Sequence, residues 1–512
     1  MPAQLSRTFG RIDISVLAVI ILIGLVNLPM PFHGDQALFS LGAKEMANGA
    51  VLYRDIWDLK QPGIFGFYLL AGKLFGFSEI GVHALELMYL AGFALVLAVT
   101  LKGYYDHSVL ASLAPLFTVG VYYGVTGSWH LTQVEGLIGF PLFLCLWLAS
   151  TPSLPGDSNA RRLFLSGAAG GVVLLFKLMF LPMLIGFWLT GLVMSRRPGL
   201  PILATFSRAA VPIAAGVLCP LLPVLAYFAW EGVLPIVYKT FFEYPPRMLS
   251  ELPPSGLGSL LGGFVWLARN LATLMALGLL GACLSLARRR DGVTLNLAVW
   301  CVLGFVTILL QRRSWWEYQY LLLIVPLGLL ALRAVDLLWP HRKTGSPGLV
   351  RLPTVAWIAC LLLLFAPVEA SWVQKAAFLI HHRFALDKDQ RLAYQGRFHH
   401  GYPAMTREVA FLADARSRPG PIFVCGNPVY YYLSGRQQAG KLNGWALELF
   451  LPEMWSELVM QLQGARPAYV FVDNAYRELI SARSALAASL LDQNYRVLHE
   501  VKDGRWYELS DH

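Results

Sequence analysis

Apolar residues run in eleven long blocks through the first 372 positions, separated by short polar stretches. A hydrocarbon core of about 30 Å takes around 20 apolar residues of helix. On that ruler, membrane spans fall near 13–30, 82–101, 108–126, 132–150, 161–176, 178–195, 208–230, 263–287, 293–310, 317–338 and 352–371. With the N-terminus inside, behind Arg7 and Arg11, every inside connection is basic: Lys102, Arg161-Arg162, Arg196-Arg197, Arg288-Arg289-Arg290, and Arg342-Lys343 with Arg351. That bias is how orientation is written in membrane proteins. Eleven spans then put the C-terminus outside. No small-x-small tripeptide follows the first span, which reads as a retained helix rather than a cleaved signal peptide.

Two outside segments are longer than a connection requires. In residues 31–81, Leu38, Leu41 and Met46 recur at helical spacing, which predicts surface helices over Asp35–Asn48 and Pro62–Phe77. In residues 231–262, Pro235, Pro245-Pro246 and Pro253-Pro254 exclude one continuous helix. Tyr238, Phe241, Phe242 and Tyr244 between them are ordinary interfacial anchors. After about residue 372 the pattern changes. Strand-length apolar runs at Pro421–Cys425 and Ala468–Asp473, helical patterns at 404–418, 446–464 and 476–492, and short strands near 495–499 and 505–509 predict a small exported α/β domain. The expected organisation is a membrane domain over 1–372 and the exported domain over 373–512. No internal repeat is visible, which weighs against an inverted-repeat transporter.

Composition narrows the class. Of 512 residues, 56% are hydrophobic and only 14% charged, with mean hydropathy +0.55. A soluble domain carries about 25% charged residues, so a soluble protein is excluded. The net charge of +10 is spread between apolar runs rather than gathered into a patch, which argues against nucleic acid. Cys145, Cys219, Cys283, Cys301 and Cys360 lie in apolar runs and only Cys425 falls outside them. With no CxxC pair, neither a zinc site nor a disulfide framework is indicated.

Three sets of residues could carry chemistry. The first is His33-Gly34-Asp35-Gln36 with Tyr53-Arg54-Asp55-Ile56-Trp57-Asp58-Leu59-Lys60-Gln61-Pro62, on the outside directly after the first span. Taken alone, Asp35 would only complement a helix dipole, an effect of roughly a few tenths of a kcal/mol. The density of Asp55, Asp58 and Lys60 nearby asks for more, although Arg54 and Asp58 are spaced for a plain ion pair. The second set lies at or within spans: Glu135 at the start of the fourth, Lys177 where the fifth meets the sixth, and Glu79, His83 and Glu86 on one face of the second. An ionisable group inside a span faces a cavity or a partner, and Glu86 is read as bonding a neighbouring helix. The third set is Gln311-Arg312-Arg313-Ser314-Trp315-Trp316-Glu317-Tyr318-Gln319-Tyr320. Its arginines lie outside, against the positive-inside trend. Arginine forks suit phosphate oxygens; the plain alternative is an anchor to anionic headgroups.

Assembled, these residues resemble the GT-C superfamily of membrane glycosyltransferases, most of all the branch of protein O-mannosyltransferases and bacterial aminoarabinose transferases. The resemblance rests on Gly34-Asp35-Gln36, Tyr53-Arg54-Asp55 and Asp58-Leu59-Lys60-Gln61-Pro62-Gly63 in the first loop. Lys177 follows a glycine-rich span as in those proteins, and Gln311 to Pro326 resembles their aromatic segment leading into a proline-containing helix. Val424-Cys425-Gly426-Asn427 and Tyr432-Leu433-Ser434-Gly435-Arg436 are similar to their exported domain. Gln36 stands where the family often has glutamate, so a second carboxylate would come from Asp55, Asp58 or Glu135.

The resemblance implies a sugar donor carried on polyprenyl phosphate and used on the outer face of the inner membrane, with inversion at the anomeric carbon. On this expectation Asp35 is the general base, Asp55, Asp58, Lys60 and Glu135 position the donor or acceptor, and Lys177, Arg312 and Arg313 hold the donor phosphate. A divalent metal is compatible with the superfamily, but no His/Cys cluster marks a dedicated site. The sugar is left open, as is the acceptor, whether lipid A, another envelope glycan or a protein. The competing readings are a transporter or flippase of a lipid-linked sugar, and a non-catalytic assembly protein. The dense acidic first loop favours an enzyme.

Overall fold

Helices occupy all ten predicted span positions that fall within the described residues. The structure, a computed structural model, describes residues 10–150, 159–194, 202–251, 256–288, 291–311, 315–339, 372–445 and 451–510. The eleventh predicted span, 352–371, lies outside them. The chain forms two compact units, one of Met1–Leu28, His83–Pro223 and Ser255–Leu386, the other of Pro29–Val82, Val224–Pro254 and Asp387–His512.

In the first unit the apolar blocks become helices because a backbone without water must satisfy its polar groups internally. Among the described residues, six helices are long and apolar enough to cross a bilayer: Glu79–Gly103, Ser108–Val125, Ser207–Trp230, Leu257–Arg288, Gly292–Leu310 and Glu317–Leu338. Val134–Ser150 and Leu178–Met194 are shorter apolar helices. Arg11–Leu25 and Asn159–Phe176 occupy the first and fifth predicted positions. The chain is therefore a mostly helical, multi-pass membrane protein. Helices meet closely where side chains are small. A Cβ on Gly281 would fall 2.0 Å from the Leu330 carbonyl oxygen, so only glycine lets Leu257–Arg288 approach Ile324–Leu338 this closely. Two of the carboxylates buried here are paired. Asp13 meets Lys102 at 2.8 Å and Ser112 at 2.5 Å, and Asp336 meets Arg333 at 2.6 Å and His107 at 2.9 Å.

The second unit joins the first loop, part of the second long loop and the C-terminal α/β region. The first loop folds as the helices Gly34–Ala47 and Pro62–Phe75, each within two residues of prediction, and they pack on each other. Pro62 opens the second of these, where its missing N–H is not needed. The second loop is helical over Leu234–Tyr238 and Tyr244–Glu251, with a π-turn at Lys239–Glu243 ahead of Pro245-Pro246. Those prolines have no N–H to continue an unbroken α ladder.

Four strands form the sheet: β1 (Ile422–Cys425), β2 (Tyr469–Asp473), β3 (Tyr495–Val501) and β4 (Gly504–Leu509). Their order is β1-β2-β4-β3, with β1 and β2 parallel and the other pairs antiparallel. Phe471 and Trp506 lie at 5.1 Å and Tyr430 packs on Phe471 at 4.2 Å, an aromatic core under the sheet. The predicted helix over 404–418 is shorter, Tyr402–Glu408 followed by a 3₁₀ turn. The one over 476–492 is split at Ser484, whose hydroxyl caps the second half through the Ala487 N–H.

Candidate functional site

Asp35 sits in the first turn of Gly34–Ala47, with His33 as the N-cap. The fully buried Gln36 side chain accepts a hydrogen bond from the His33 N–H at 2.6 Å, one arm of a capping box. The place of Gln36 is therefore under the helix end. Gly34 is required by its neighbour: a Cβ there would lie 2.8 Å from the Trp445 ring.

Asp35 Oδ2 lies 3.4 Å from the Lys60 ammonium, and its side chain is 18% exposed. The Lys60 backbone is held at both ends. Its N–H donates to Asp58 Oδ1 at 2.7 Å, and its carbonyl accepts from the Tyr53 hydroxyl at 2.9 Å. Tyr53 is fully buried with φ of +72°, a left-handed conformation rare for an aromatic residue. Trp57 fixes the same loop through its N–H to the Lys441 carbonyl and its indole N–H to Thr240, both at 2.9 Å.

The two aspartates of this loop behave oppositely. Asp58 is 6% exposed, and burial pushes its carboxyl up to about 6; Asp35 pushes the same way and Lys60 opposes. Asp55 accepts from the Val51 N–H at 2.8 Å and pairs with Arg54 at 3.1 Å, and the Arg54 hydrogen bond holds it below the usual carboxylate range. The expected Arg54–Asp58 pair is not formed: Arg54 turns to Asp55 and, at 3.0 Å, to Glu231. The loop is a tight turn rather than a helix, so residues four apart do not share a face. Asp58 is thus the carboxylate tied to Asp35 through Lys60, while Asp55 closes a turn.

In the first unit, Lys177 stands at the break between Asn159–Phe176 and the 3₁₀ turn Leu178–Phe180. Its ammonium meets Glu135 Oε1 at 2.6 Å and Gln311 Oε1 at 2.9 Å. Two candidate residues 42 positions apart therefore form one ion pair. Arg312 and Arg313 lie outside the described residues. Glu86, as expected, bonds neighbouring segments: it accepts from the Tyr122 hydroxyl and from the Thr132 N–H at 2.8 Å.

Three further residues make contacts that the local sequence does not encode. His33 lies 5.2 Å from His399, and burial, with the His399 charge adding to it, lowers His33 to about 4. Glu79 opens the helix Glu79–Thr100 and accepts from Tyr402, Tyr432 and Gln395 in the second unit. The lone Lys375 is buried and donates to Asn27 at 2.6 Å and to the Thr126 carbonyl at 3.2 Å. Among the described residues no group of three or more His, Cys, Asp or Glu side chains could hold a metal ion.

The sequence matches no family model, and no curated protein matches it significantly. A solved structure does: ArnT from Cupriavidus metallidurans bound to undecaprenyl phosphate superposes with a TM-score of 0.58 at 14% identity, over 97% of each chain. The chain thus has the fold of ArnT, a likeness that runs along nearly its whole length.

Proposed function

We propose that this protein is a membrane glycosyltransferase that moves a sugar from a polyprenyl-phosphate carrier to a cell-envelope acceptor on the outer face of the inner membrane. The observation that carries the reading is the fold shared end to end with ArnT, a structure bound to undecaprenyl phosphate. The linkage of Asp35 through Lys60 to the buried Asp58 on the motif-bearing loop supports it.

In this reading Asp35 is the general base. It takes the proton of an acceptor hydroxyl as the oxygen bonds to the anomeric carbon, and the bond from that carbon to phosphate breaks, leaving polyprenyl phosphate. A base within about 3 Å of the hydroxyl contributes roughly 10²–10⁴-fold. Lys60, held at backbone and side chain, orients the Asp35 carboxylate. Lys177, with Arg312 and Arg313, takes the growing charge of the leaving phosphate, where preorganised cations act most strongly. Glu135 holds Lys177 in place until the donor binds.

The test is transfer by the purified protein in nanodiscs, supplied with a labelled polyprenyl-phosphate sugar and an envelope extract. Labelled product from the wild type and none from Asp35→Asn, with donor binding kept, is the expected result. Translocation of the donor without product, or wild-type turnover by Asp35→Asn, would overturn the reading.

A further inference from the structure

Arg466 holds a backbone conformation that suits it poorly. It ends the helix Pro452–Ala465 at φ +42° and ψ +63°, with its N–H bonded to the Leu462 carbonyl at 2.9 Å. Helices that end in this left-handed turn usually carry glycine there, because a Cβ is disfavoured. This chain has a glycine at 464, two residues early, and an arginine at the turn itself. A strained residue kept where a relaxed one was available points to a use for its side chain.

The arginine borders a hollow of about 330 Å³ formed with Gln463, Asn494, Tyr495 and Ser510. That volume is at the lower end of the range for small-molecule sites, about 300–1,000 Å³. The side chains of Gln463 and Arg466 are exposed and have no hydrogen-bond or ion-pair partner among the described residues. Burial pushes the Tyr495 hydroxyl up to about 12 and the Arg466 charge acts against that, so the guanidinium is near the ring. The backbone beneath is firm: the Ser510 N–H donates to the Asn494 carbonyl at 2.8 Å, and Tyr495 pairs with Leu509 across β3 and β4.

We propose that this hollow binds an anionic saccharide. A guanidinium fork matches a carboxylate or phosphate in paired geometry. Two amides and a hydroxyl, each able to donate and accept, match the hydroxyls of a sugar ring. An aliphatic chain finds little here, since among the described residues Leu462 and Leu509 are the aliphatic side chains of the lining. The site does not depend on Asp35 or on the transfer reaction. It gives the C-terminal α/β region a means to hold a charged envelope glycan.

Binding to the full-length protein in neutral-lipid nanodiscs is measured with trigalacturonate, with neutral maltotriose and with inorganic phosphate. Trigalacturonate binds, and maltotriose and phosphate each bind at least tenfold more weakly. Arg466→Gly weakens trigalacturonate at least tenfold without lowering the thermal midpoint, since glycine takes this backbone freely. Arg466→Asn, which also tolerates the turn, does the same, and Arg466→Lys restores part of the affinity. Absence of trigalacturonate binding, equal binding of maltotriose or phosphate, or unchanged affinity in Arg466→Gly and Arg466→Asn would overturn the proposal. Asp35→Asn leaves this binding unchanged, so failure here is distinct from failure of the transferase reading.

Discussion

Asp55 and Asp58 stand three residues apart in one turn, yet their surroundings move them in opposite directions. The buried Asp58 titrates near 6, above its unfolded value of 3.8. The folded state therefore holds a proton that the unfolded state has released between about pH 4 and 6, and stability falls as pH rises through that window. Asp58→Asn keeps an oxygen acceptor for the Lys60 N–H but removes the ionisation. Its thermal midpoint is expected to exceed that of the wild type at pH 7.5 and to match it near pH 4. The gain is on the order of 1–3 kcal/mol. An equal midpoint at both pH values would show that Asp58 is solvated in the folded protein. The phosphate assignment is tested in the same way, one side chain at a time. A hydrogen bond to a charged group contributes roughly 1.5–3 kcal/mol, so Lys177→Ala, Arg312→Ala or Arg313→Ala is expected to weaken donor binding about tenfold to a hundredfold. Arg313→Lys recovers only part, because an ammonium lacks the paired fork. Unchanged affinity in neutral-lipid nanodiscs for all three alanines would reduce these residues to headgroup anchors.

Packing between elements rests on a few residues that allow no substitute. Gly281→Val would press a branched side chain onto the Leu330 carbonyl, forcing apart the helices Leu257–Arg288 and Ile324–Leu338. Overpacking of this kind costs about 1–3 kcal/mol, to be read as a lowered thermal midpoint in detergent; Gly281→Ala is expected to fall between. Element boundaries in the first loop were readable because local rules agree there: the apolar spacing, Pro62 at a helix start, and a glutamine three residues after the cap. The Arg54–Asp58 pairing was misread because helical spacing was assumed where the chain makes a turn. That turn is held by Tyr53, Trp57 and Asp55 through partners whose positions the local sequence does not encode.

For the whole chain, the basic inside loops and an odd number of spans predict the α/β region on the outside. A reporter fused after His512 is expected to be active only when it folds outside the cytoplasm; cytoplasmic activity would reverse the orientation. Hydropathy and charge along the sequence determined that this is a multi-pass helical membrane protein ending in a small α/β region. Burial of apolar blocks and satisfaction of backbone hydrogen bonds are local demands that each segment meets alone. The sequence also singled out Asp35 and, in one crowded polar stretch after it, Asp55, Asp58 and Lys60. Only the tertiary structure decided which charges meet. Lys177 finds Glu135 and Gln311, and Glu79 accepts from three donors beyond residue 394. These contacts join residues 42 to 353 positions apart. An ion pair depends on separation in space, and a one-dimensional pattern fixes that separation only within a turn or two of helix.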